Sequence, residues 1–265
     1  MPRGYPRVMT EATREPPYQR IARFYDAIYE AKGRESQAEI AYLARFWSED
    51  GHGPGNRTLL DVGCGTGAHL GALSEHGRVE GLDLSMDMIA EARRRYPSVP
   101  LHLGDLKAFQ LNRRFDVVSC LFGSAGYLPT RPALRRAISS MGMHVAPGGV
   151  LLVEPPILTD TLGSPRSQRL QTEFEGGLLV RTTETRIDGG VLEIDFDWCF
   201  TPGSGSPEET IQERHRLLLL GSKDWMADMK RALPKGTRVE FDPEGPGGRG
   251  LLIARVSRAG VPGSG

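Results

Sequence analysis

Residues 59–67 read Leu59-Leu60-Asp61-Val62-Gly63-Cys64-Gly65-Thr66-Gly67, an apolar run followed by glycines at alternate positions. The apolar run predicts a buried strand, and residues 68–73 are compatible with a helix. Glycine lacks a Cβ, so the backbone here can turn sharply and lie close to a ligand. The N–H groups at the start of the following helix favour a carboxylate or a phosphate. The stretch therefore predicts a ligand-binding loop.

The charge beside this loop narrows the choice of ligand. Asp61 lies on the strand just before the turn, where a carboxylate suits a cationic ligand better than a pyrophosphate. A nucleoside that carries both a cation and a carboxylate fits, and S-adenosylmethionine has that chemistry. A dinucleotide is the alternative, because Gly63, Gly65 and Ala68 also satisfy the G-x-G-x-x-[GA] pattern. Asp83 follows Gly63 by 20 residues, as an acid that binds a ribose would.

Four later apolar runs favour S-adenosylmethionine over a dinucleotide. The run at 79–85 contains Asp83, which suits a ribose diol, and the run at 101–106 ends in Asp105 and Leu106, which suit an adenine amino group and ring. Further runs lie at 115–122 and 147–154. Strands that alternate with helices predict a parallel sheet with its ligand at the carboxyl ends of the strands. The series resembles the class I S-adenosylmethionine-dependent methyltransferases, which implies a doubly wound, seven-stranded, Rossmann-like α/β core.

The composition argues against several classes of partner. The 33 basic and 33 acidic residues give a formal net charge of zero, which disfavours nucleic acid. Apolar runs are too short to span a membrane and the N-terminus lacks a signal-peptide core, so we expect a cytoplasmic protein with no membrane partner. Cys64, Cys120 and Cys199 lack metal-binding spacing, so they are predicted to be reduced core thiols and no metal is expected. Cys64 is interpreted as a small residue under the ligand loop rather than a nucleophile.

The pattern along the chain predicts an elaborated core. Its four parts are a helical cap (1–56), the Rossmann-like core (57–155 and 221–256), an antiparallel β insertion over the active site (156–220), and a disordered tail (257–265). Residues 1–17 are expected to be mobile, and 51–56 to form a loop.

Local signals predict the elements within these parts. Residues 21–47 have apolar residues at helical spacing, with a break near Gly33, which indicates two helices. The remaining helices are predicted at 68–76, 85–95, 131–145 and 223–233. Asp188-Gly189-Gly190 predicts a hairpin between strands at 178–187 and 191–201. Further strands are predicted at 211–220, 237–242 and 250–256.

The chain also resembles a narrower family, the sugar N-methyltransferases that act on nucleotide-linked amino-deoxysugars in antibiotic pathways. The resemblance covers about residues 20 to 256. It rests on these segments: Tyr25-Asp26-x-x-Tyr29, the glycine loop with Ala68-His69-Leu70, 81–85 with Met88, Gly104-Asp105, 122–128, 147–155, Glu213-Arg214-His215-Arg216-Leu217, and 247–251. The elements Gly126-Tyr127-Leu128, Glu154-Pro155 and Gly248-Arg249-Gly250 are more specific than the glycine loop.

This resemblance implies roles for individual residues. Tyr127 and His215 are the catalytic candidates, since Tyr127 lies just beyond the fourth strand, where acceptors bind. Acceptor binding is implied for Tyr29, Tyr127, Glu154, His215 and Arg249, with the guanidinium of Arg249 paired with a diphosphate. Cofactor binding is implied for these residues: Tyr25, Asp61, Gly63, Cys64, Gly65, Gly67, Asp83, Leu84, Met88, Gly104, Asp105, Leu106 and Phe122. Two roles are left open for His69: it contacts the cofactor, or it caps the helix that follows the glycine loop.

The acceptor is the least specified part of this prediction. Family members carry Trp where this chain has Pro156, and the segment 157–170 diverges from them. The resemblance implies N-methylation of a nucleotide-linked aminosugar, and an O-methyltransferase with a sugar or natural-product hydroxyl acceptor is the alternative. The sequence leaves open how many methyl groups are transferred and whether the protein forms a homodimer.

Overall fold

The computed structural model describes residues 16–33, 36–48, 57–163 and 167–258. The N-terminal part consists of a 3₁₀ turn (Ala22–Phe24) and two helices, α1 (Tyr25–Ala31) and α2 (Ser36–Ser48). These are the two helices that the apolar spacing predicts, with Gly33 at a φ of 86° between them. The predicted loop 51–56, and the parts of the predicted mobile segment and tail at 1–15 and 259–265, lie outside the described residues.

Alternating strands and helices form the core. They are β1 (Thr58–Val62), α3 (Leu70–Leu73), β2 (Arg78–Asp83), α4 (Met86–Arg95), β3 (Leu101–Leu103), β4 (Phe115–Cys120), α5 (Arg131–Met143) and β5 (Val145–Val153). Ser85 and Thr130 begin α4 and α5, because their hydroxyls accept hydrogen bonds from the N–H groups of Met88 and Ala133. Helix α3 is shorter than the predicted 68–76.

The next four strands form a separate antiparallel sheet in the order β6-β7-β8-β9. They are β6 (Ser167–Phe174), β7 (Gly177–Asp188), β8 (Val191–Thr201) and β9 (Glu209–Leu218). Asp188 pairs with Val191, so Gly189 and Gly190 form a two-residue turn with both φ angles positive, as the hairpin prediction requires. The sequence did not predict β6. This edge strand has mostly exposed polar side chains, and its apolar alternation is weak.

The chain then returns to the core with α6 (Ser222–Ala232), β10 (Arg238–Asp242) and β11 (Leu251–Arg255). The seven-stranded sheet has the order β10-β11-β5-β4-β1-β2-β3. Neighbouring strands from β5 to β3 are parallel, while β11 is antiparallel to both β5 and β10. The predicted doubly wound, seven-stranded α/β core is therefore confirmed. The carboxyl ends of β1, β2 and β4 meet at one edge of this sheet.

The inner face of the antiparallel sheet packs against the N-terminal helices. Alternate side chains of the sheet, such as Leu179, Phe196 and Trp198, share a core with Phe24 and Ile28. Because strand side chains alternate between faces, Cys199 points away from this core. Cys64 and Cys120 are buried as predicted, whereas Cys199 is only half-buried, so its prediction as a core thiol is wrong. In the described part of the chain, no helix is long and apolar enough to cross a membrane.

Candidate active site

A cavity of about 1060 Å³ lies between the carboxyl edge of the core sheet and the inner face of the antiparallel sheet. Residues predicted to bind the cofactor line it: Tyr25, Gly63, Gly65, Asp83, Leu84, Met88, Leu106 and Phe122. Three residues predicted to bind the acceptor, Tyr29, Tyr127 and Arg249, line the same cavity. Two predicted sets of residues that are distant in sequence are therefore brought to one space.

The glycine loop adopts a backbone that L side chains rarely take. The φ angles of Gly63, Gly65 and Gly67 are 79°, 55° and 80°. A Cβ added at Gly63 would lie 2.7 Å from Oγ of Ser124, which follows β4. Glycine at this position therefore permits both the turn and the close approach of two loops that face the cavity.

Asp83 ends β2 beside this loop. One carboxylate oxygen accepts a hydrogen bond of 2.8 Å from the N–H of Gly65, and the other accepts one of 2.8 Å from the N–H of Ser85. Burial raises the pKa of Asp83, and these backbone hydrogen bonds act against that rise. The carboxylate is thus fixed at the edge of the cavity, where it can accept hydrogen bonds from a diol.

Asp61 and Cys64 line a small side pocket rather than the main cavity. Asp61 accepts a 2.7 Å hydrogen bond from the Ser119 hydroxyl and lies 3.9 Å from Nδ1 of His69. Burial raises the pKa of the Cys64 thiol well above its ordinary value, and the charges of Asp83 and Asp61 add to that rise. Since the thiolate is the nucleophile, this shift agrees with a structural role for Cys64.

Besides Asp61 and Cys64, three more predicted cofactor residues do not line the main cavity. A Cβ at Gly67 would meet Tyr96 and Ala92 at 3.1 and 3.3 Å, so this glycine permits close packing against α4. Gly104 packs against Leu82. Asp105 accepts a hydrogen bond from the N–H of Lys107 and forms a 3.2 Å ion pair with its Nζ.

The two catalytic candidates are in direct contact. The hydroxyl of Tyr127 lies 2.9 Å from Nδ1 of His215, and Nε2 of His215 lies 3.3 Å from Oε2 of Glu213. His215 is only 3% exposed, so both ring nitrogens face protein groups. Burial raises the pKa of Tyr127 well above 10, so its hydroxyl stays protonated at neutral pH. Tyr127, His215 and Glu213 thus form a chain of hydrogen-bonding groups that starts at the cavity wall.

Aromatic rings from α1 and from the turn that precedes it cover this chain. The ring of Tyr18 lies 4.4 Å from that of His215 and 6.1 Å from that of Tyr127. The Tyr18 hydroxyl lies 2.9 Å from that of Tyr29, whose ring packs at 4.5 Å against Tyr25. A 2.8 Å hydrogen bond from Thr66 of the glycine loop to Asp26 holds α1 over the loop.

Arg249 is enclosed by two acids. Its guanidinium donates to Glu154 and to Glu39, whose side chains are almost fully buried. Glu39 also lies 2.8 Å from Nε2 of His69, so this histidine joins an internal network. The guanidinium lies 4.8 Å from the ring of Phe122, and Glu154 accepts a 2.8 Å hydrogen bond from the Phe122 N–H.

This arrangement stabilises an unusual backbone conformation at Phe122. Its φ of 54° lies in the left-handed region, where a non-glycine residue is strained. Gly123 follows at a φ of 75°, and Pro156 packs against Gly123 and Gly126. The acids and Arg249 therefore shape the turn that carries Phe122 and Tyr127. The predicted diphosphate role of Arg249 stays a prediction, and these ion pairs weigh against it.

Comparisons with known proteins agree with this geometry. A family model described as "Methyltransferase domain" matches residues 59–149. The dTDP-3-amino-3,6-dideoxy-alpha-D-glucopyranose N,N-dimethyltransferase of Streptomyces fradiae is 36% identical over 246 residues, 92% of this chain and 91% of that protein. The chain belongs to the S-adenosylmethionine-dependent sugar N-methyltransferases.

Two solved structures have the same fold. DesVI of Streptomyces venezuelae superposes with a TM-score of 0.81 at 31% identity, covering 89% of this chain and 98% of that chain. S-adenosylmethionine-bound CalS10, an amino pentose methyltransferase from Micromonospora echinaspora, has a TM-score of 0.75 at 32% identity. That match covers 88% of this chain and 97% of CalS10.

The residues of this methyltransferase fit its cofactor. The left-handed glycine loop leaves space that a Cβ would fill, and Asp83 offers a fixed carboxylate beside it. Tyr25, Leu84, Met88 and Leu106 provide apolar surface around that carboxylate. These are the features that a nucleoside with a polar ribose and a flat base requires.

The cavity residues that the sequence analysis missed include Tyr18, Arg181 and Thr183. Tyr18 directly follows the segment 1–17 that was expected to be mobile, and no sequence pattern indicated a role for it. Arg181 and Thr183 alternate with outward residues on β7, and a charged residue at an inward position is the signal that was available. Glu213 was noted only as part of a motif. It lies two residues before His215 on the same strand, so both side chains are on the same face.

Proposed function

We propose that this enzyme transfers methyl groups to the amine of an amino-deoxysugar that is linked to a nucleoside diphosphate. The observation that carries the proposal is that one cavity joins Asp83 and the glycine loop to the Tyr127–His215 pair. The names of whole-length relatives, such as the dTDP-aminosugar N,N-dimethyltransferase of Streptomyces fradiae, support an amine as the acceptor and a nucleotide as its carrier.

The cofactor end of the cavity is assigned first. Asp83 would accept the ribose hydroxyls, and the N–H groups of the glycine loop would face the amino-acid part of the cofactor. When bound, S-adenosylmethionine supplies an electrophilic methyl group on a sulfonium. The protein's contribution is to orient the cofactor and the acceptor within the cavity and to exclude water.

The Tyr127–His215–Glu213 chain is proposed to handle the proton. A protonated amine must lose its proton before it can act as a nucleophile, and a neutral amine must release one after methylation. Tyr127 is too weak an acid to act as a phenolate, since burial raises its pKa well above 10. The hydroxyl oxygen would instead take the amine proton as its own proton passes to Nδ1 of His215. Glu213 would then face the proton on Nε2 and stabilise the imidazolium.

An O-methyltransferase remains the alternative function. A hydroxyl acceptor would need a strong general base, because the pKa of the hydroxyl lies far above neutral pH. A neutral tyrosine hydrogen-bonded to a histidine is better suited to an amine, which is unprotonated in part without assistance. Three relatives that match most of the chain are named as aminosugar N,N-dimethyltransferases, which favours the amine again.

Mass spectrometry tests the proposal directly. The purified chain would be incubated with labelled S-adenosylmethionine and matched pairs of nucleotide sugars that differ only by an amino or a hydroxyl group. A mass gain of one or two methyl groups on the amino member alone supports the proposal. Methylation of the hydroxyl member, or of a free sugar in preference to its nucleotide, contradicts it. The same sample in an analytical ultracentrifuge would measure the oligomeric state, which the sequence leaves open.

A further inference from the structure

Arg181 is a buried cation whose charge is not balanced by any carboxylate in the described part of the chain. It lies on the inner face of β7, it is 1% exposed, and it lines the main cavity. Among the described residues, Nε and Nη1 of Arg181 have no hydrogen-bond partner, and no carboxylate forms an ion pair with it. A guanidinium cannot lose its proton to relieve this burial. Such a group requires an anion in the functional complex.

The immediate surroundings of Arg181 are aromatic. Its Cζ lies 5.3 Å from the ring of Tyr29, 5.1 Å from Phe196 and 5.4 Å from Trp198. These faces stabilise a cation in part, and they also hold the planar fork in one orientation. They supply no hydrogen-bond acceptor in the plane of the guanidinium. The N–H groups therefore remain available to an anion that offers two adjacent oxygens, such as a phosphate.

Two further groups extend this site. Thr183 lies one step along the same inner face, lines the cavity, and has a buried hydroxyl with no partner in the described part of the chain. Lys32 also lines the cavity. Desolvation, and the positive charges of Arg181 and Arg249, lower the pKa of Lys32, so the cations here repel one another. An anion between them would remove that repulsion.

The position of Arg181 relative to the catalytic pair suggests which anion binds. The ring of Phe196 lies 5.1 Å from Cζ of Arg181 and 4.9 Å from the His215 ring. Arg181 therefore lies close to the Tyr127–His215 pair, and Arg181 and Tyr127 line the same cavity. A pyranose in that cavity would present its amine to Tyr127 and the diphosphate on its anomeric oxygen to Arg181.

We propose that Arg181 and Thr183 form the diphosphate-binding site of the acceptor, and that Arg249 does not. This inference rests on the proposed function, because it assigns one end of that acceptor. Arg249 is already neutralised by Glu39 and Glu154, whereas Arg181 lines the cavity with two buried donors that have no partner among the described residues. The carboxylate of the cofactor is the other anion that could reach this wall, so the test must separate the two.

Isothermal titration calorimetry of the full chain distinguishes the acceptor diphosphate from the cofactor carboxylate as the anion that Arg181 binds. The probes are thymidine diphosphate, thymidine and S-adenosylmethionine, titrated into the wild type, Arg181→Met and Arg186→Met. Arg186 is the matched control because it lies on the same strand but on the outer face, paired with Glu193 and Asp195. Arg181→Met should weaken thymidine diphosphate about 10- to 100-fold, the range of a charged hydrogen-bonded contact. Thymidine and S-adenosylmethionine should be unaffected, and Arg186→Met should match the wild type.

Thermal unfolding without ligand shows whether Arg181→Met is folded. Because methionine removes an unbalanced buried charge, its Tm should equal or exceed that of the wild type. Arg181→Lys keeps the charge but loses the planar guanidinium. Its affinity for thymidine diphosphate should therefore lie between those of the wild type and Arg181→Met. Equal binding of thymidine diphosphate by the wild type and Arg181→Met would overturn the inference. A loss confined to S-adenosylmethionine would also overturn it and assign the site to the cofactor carboxylate.

Turnover separates this inference from the proposed function. If thymidine diphosphate binding depends on Arg181 while no nucleotide-linked aminosugar is methylated, the anion site stands and the proposed function fails. If aminosugar nucleotides are methylated with the same KM by Arg181→Met and the wild type, the proposed function stands and the anion site fails.

Discussion

Tyr127 and His215 are 88 positions apart in the chain, yet the tyrosine hydroxyl lies 2.9 Å from Nδ1 of the histidine. Tyr127 follows the fourth strand of the core sheet, and His215 lies on the last strand of the antiparallel sheet. The pair therefore forms only when the second sheet folds over the carboxyl edge of the first. Closure of the cavity and assembly of the two candidate catalytic residues are the same structural event.

Tyr127→Phe removes only the hydroxyl at the start of this chain. If the acceptor is an amine, turnover at neutral pH should fall by less than the roughly 10²–10⁴ expected for loss of a required base. Much of the loss should recover as pH rises, because the unprotonated amine then becomes abundant. His215→Ala should behave in the same way. Steady-state turnover measured across a pH series checks both variants.

Tyr42→Phe is the matched control for this experiment. The Tyr42 hydroxyl donates a 2.6 Å hydrogen bond to Asp242, away from the catalytic pair, so its removal should leave the pH profile unchanged. A loss of about 10³ or more in Tyr127→Phe that persists at high pH would indicate a hydroxyl acceptor. That outcome would replace the proposed N-methylation with O-methylation.

The cofactor half of the site was the more predictable half. Gly63, Gly65 and Asp83 are local in sequence, and a strand–loop–helix pattern implies their geometry directly. The order of strands and helices then places them at one edge of a sheet. Tyr127 and His215 were predicted through resemblance alone, since no periodicity in a single chain reports a contact between two sheets.

Arg181 and the Arg249 network show what the sequence could not supply. A positive charge between Val180 and Thr182 can face solvent, an acid or a ligand, and only the register of β7 with β8 turns it inward. For Arg249, its position between glycines predicted access to a phosphate. The acids that occupy it, Glu39 and Glu154, come from α2 and from the end of β5, and long-range packing alone brings them there.

Gly63→Ala should abolish cofactor binding and destabilise the protein. The left-handed φ of 79° is strained for alanine by about 1–2 kcal/mol, and its Cβ would also lie 2.7 Å from Ser124 Oγ. Gly33→Ala is the control, because Gly33 has a φ of 86° with nothing within 4 Å of its added Cβ. Urea unfolding should give a clearly larger loss of stability for Gly63→Ala. Equal losses would mean that the contact with Ser124 relaxes freely.

Asp83→Ala should weaken S-adenosylmethionine by about 2–3 kcal/mol, since it removes a charged acceptor of two hydrogen bonds. Burial raises the pKa of Asp83, so cofactor affinity in the wild type should begin to fall at a higher pH than for an ordinary aspartate. This acid-side decline should be missing in the variant. Calorimetric titrations between neutral and mildly acidic pH measure both effects. Unchanged affinity in Asp83→Ala would remove Asp83 from the cofactor site.

Arg249→Met should destabilise the protein in a pH-dependent way. It leaves Glu39 and Glu154 buried without their cation, and breaking such a pair costs about 3–5 kcal/mol when both partners are buried. Arg249 is 35% exposed, so we expect a smaller loss, about 2–3 kcal/mol at neutral pH. Arg131→Met is the control: Asp228 keeps its 2.8 Å ion pair with Arg135, so its loss should be smaller.

The sign of the pH dependence follows from Glu154. Burial already raises its pKa, and Arg249 acts against that rise, so removal of the cation raises the pKa further. A carboxyl with a raised pKa in the folded state favours folding when protonated, and this contribution is lost as pH rises through that pKa. The difference in unfolding free energy between wild type and Arg249→Met should therefore be largest at neutral pH and shrink as Glu154 becomes protonated. A variant of unchanged stability with a raised KM for a nucleotide sugar would instead restore the diphosphate role of Arg249.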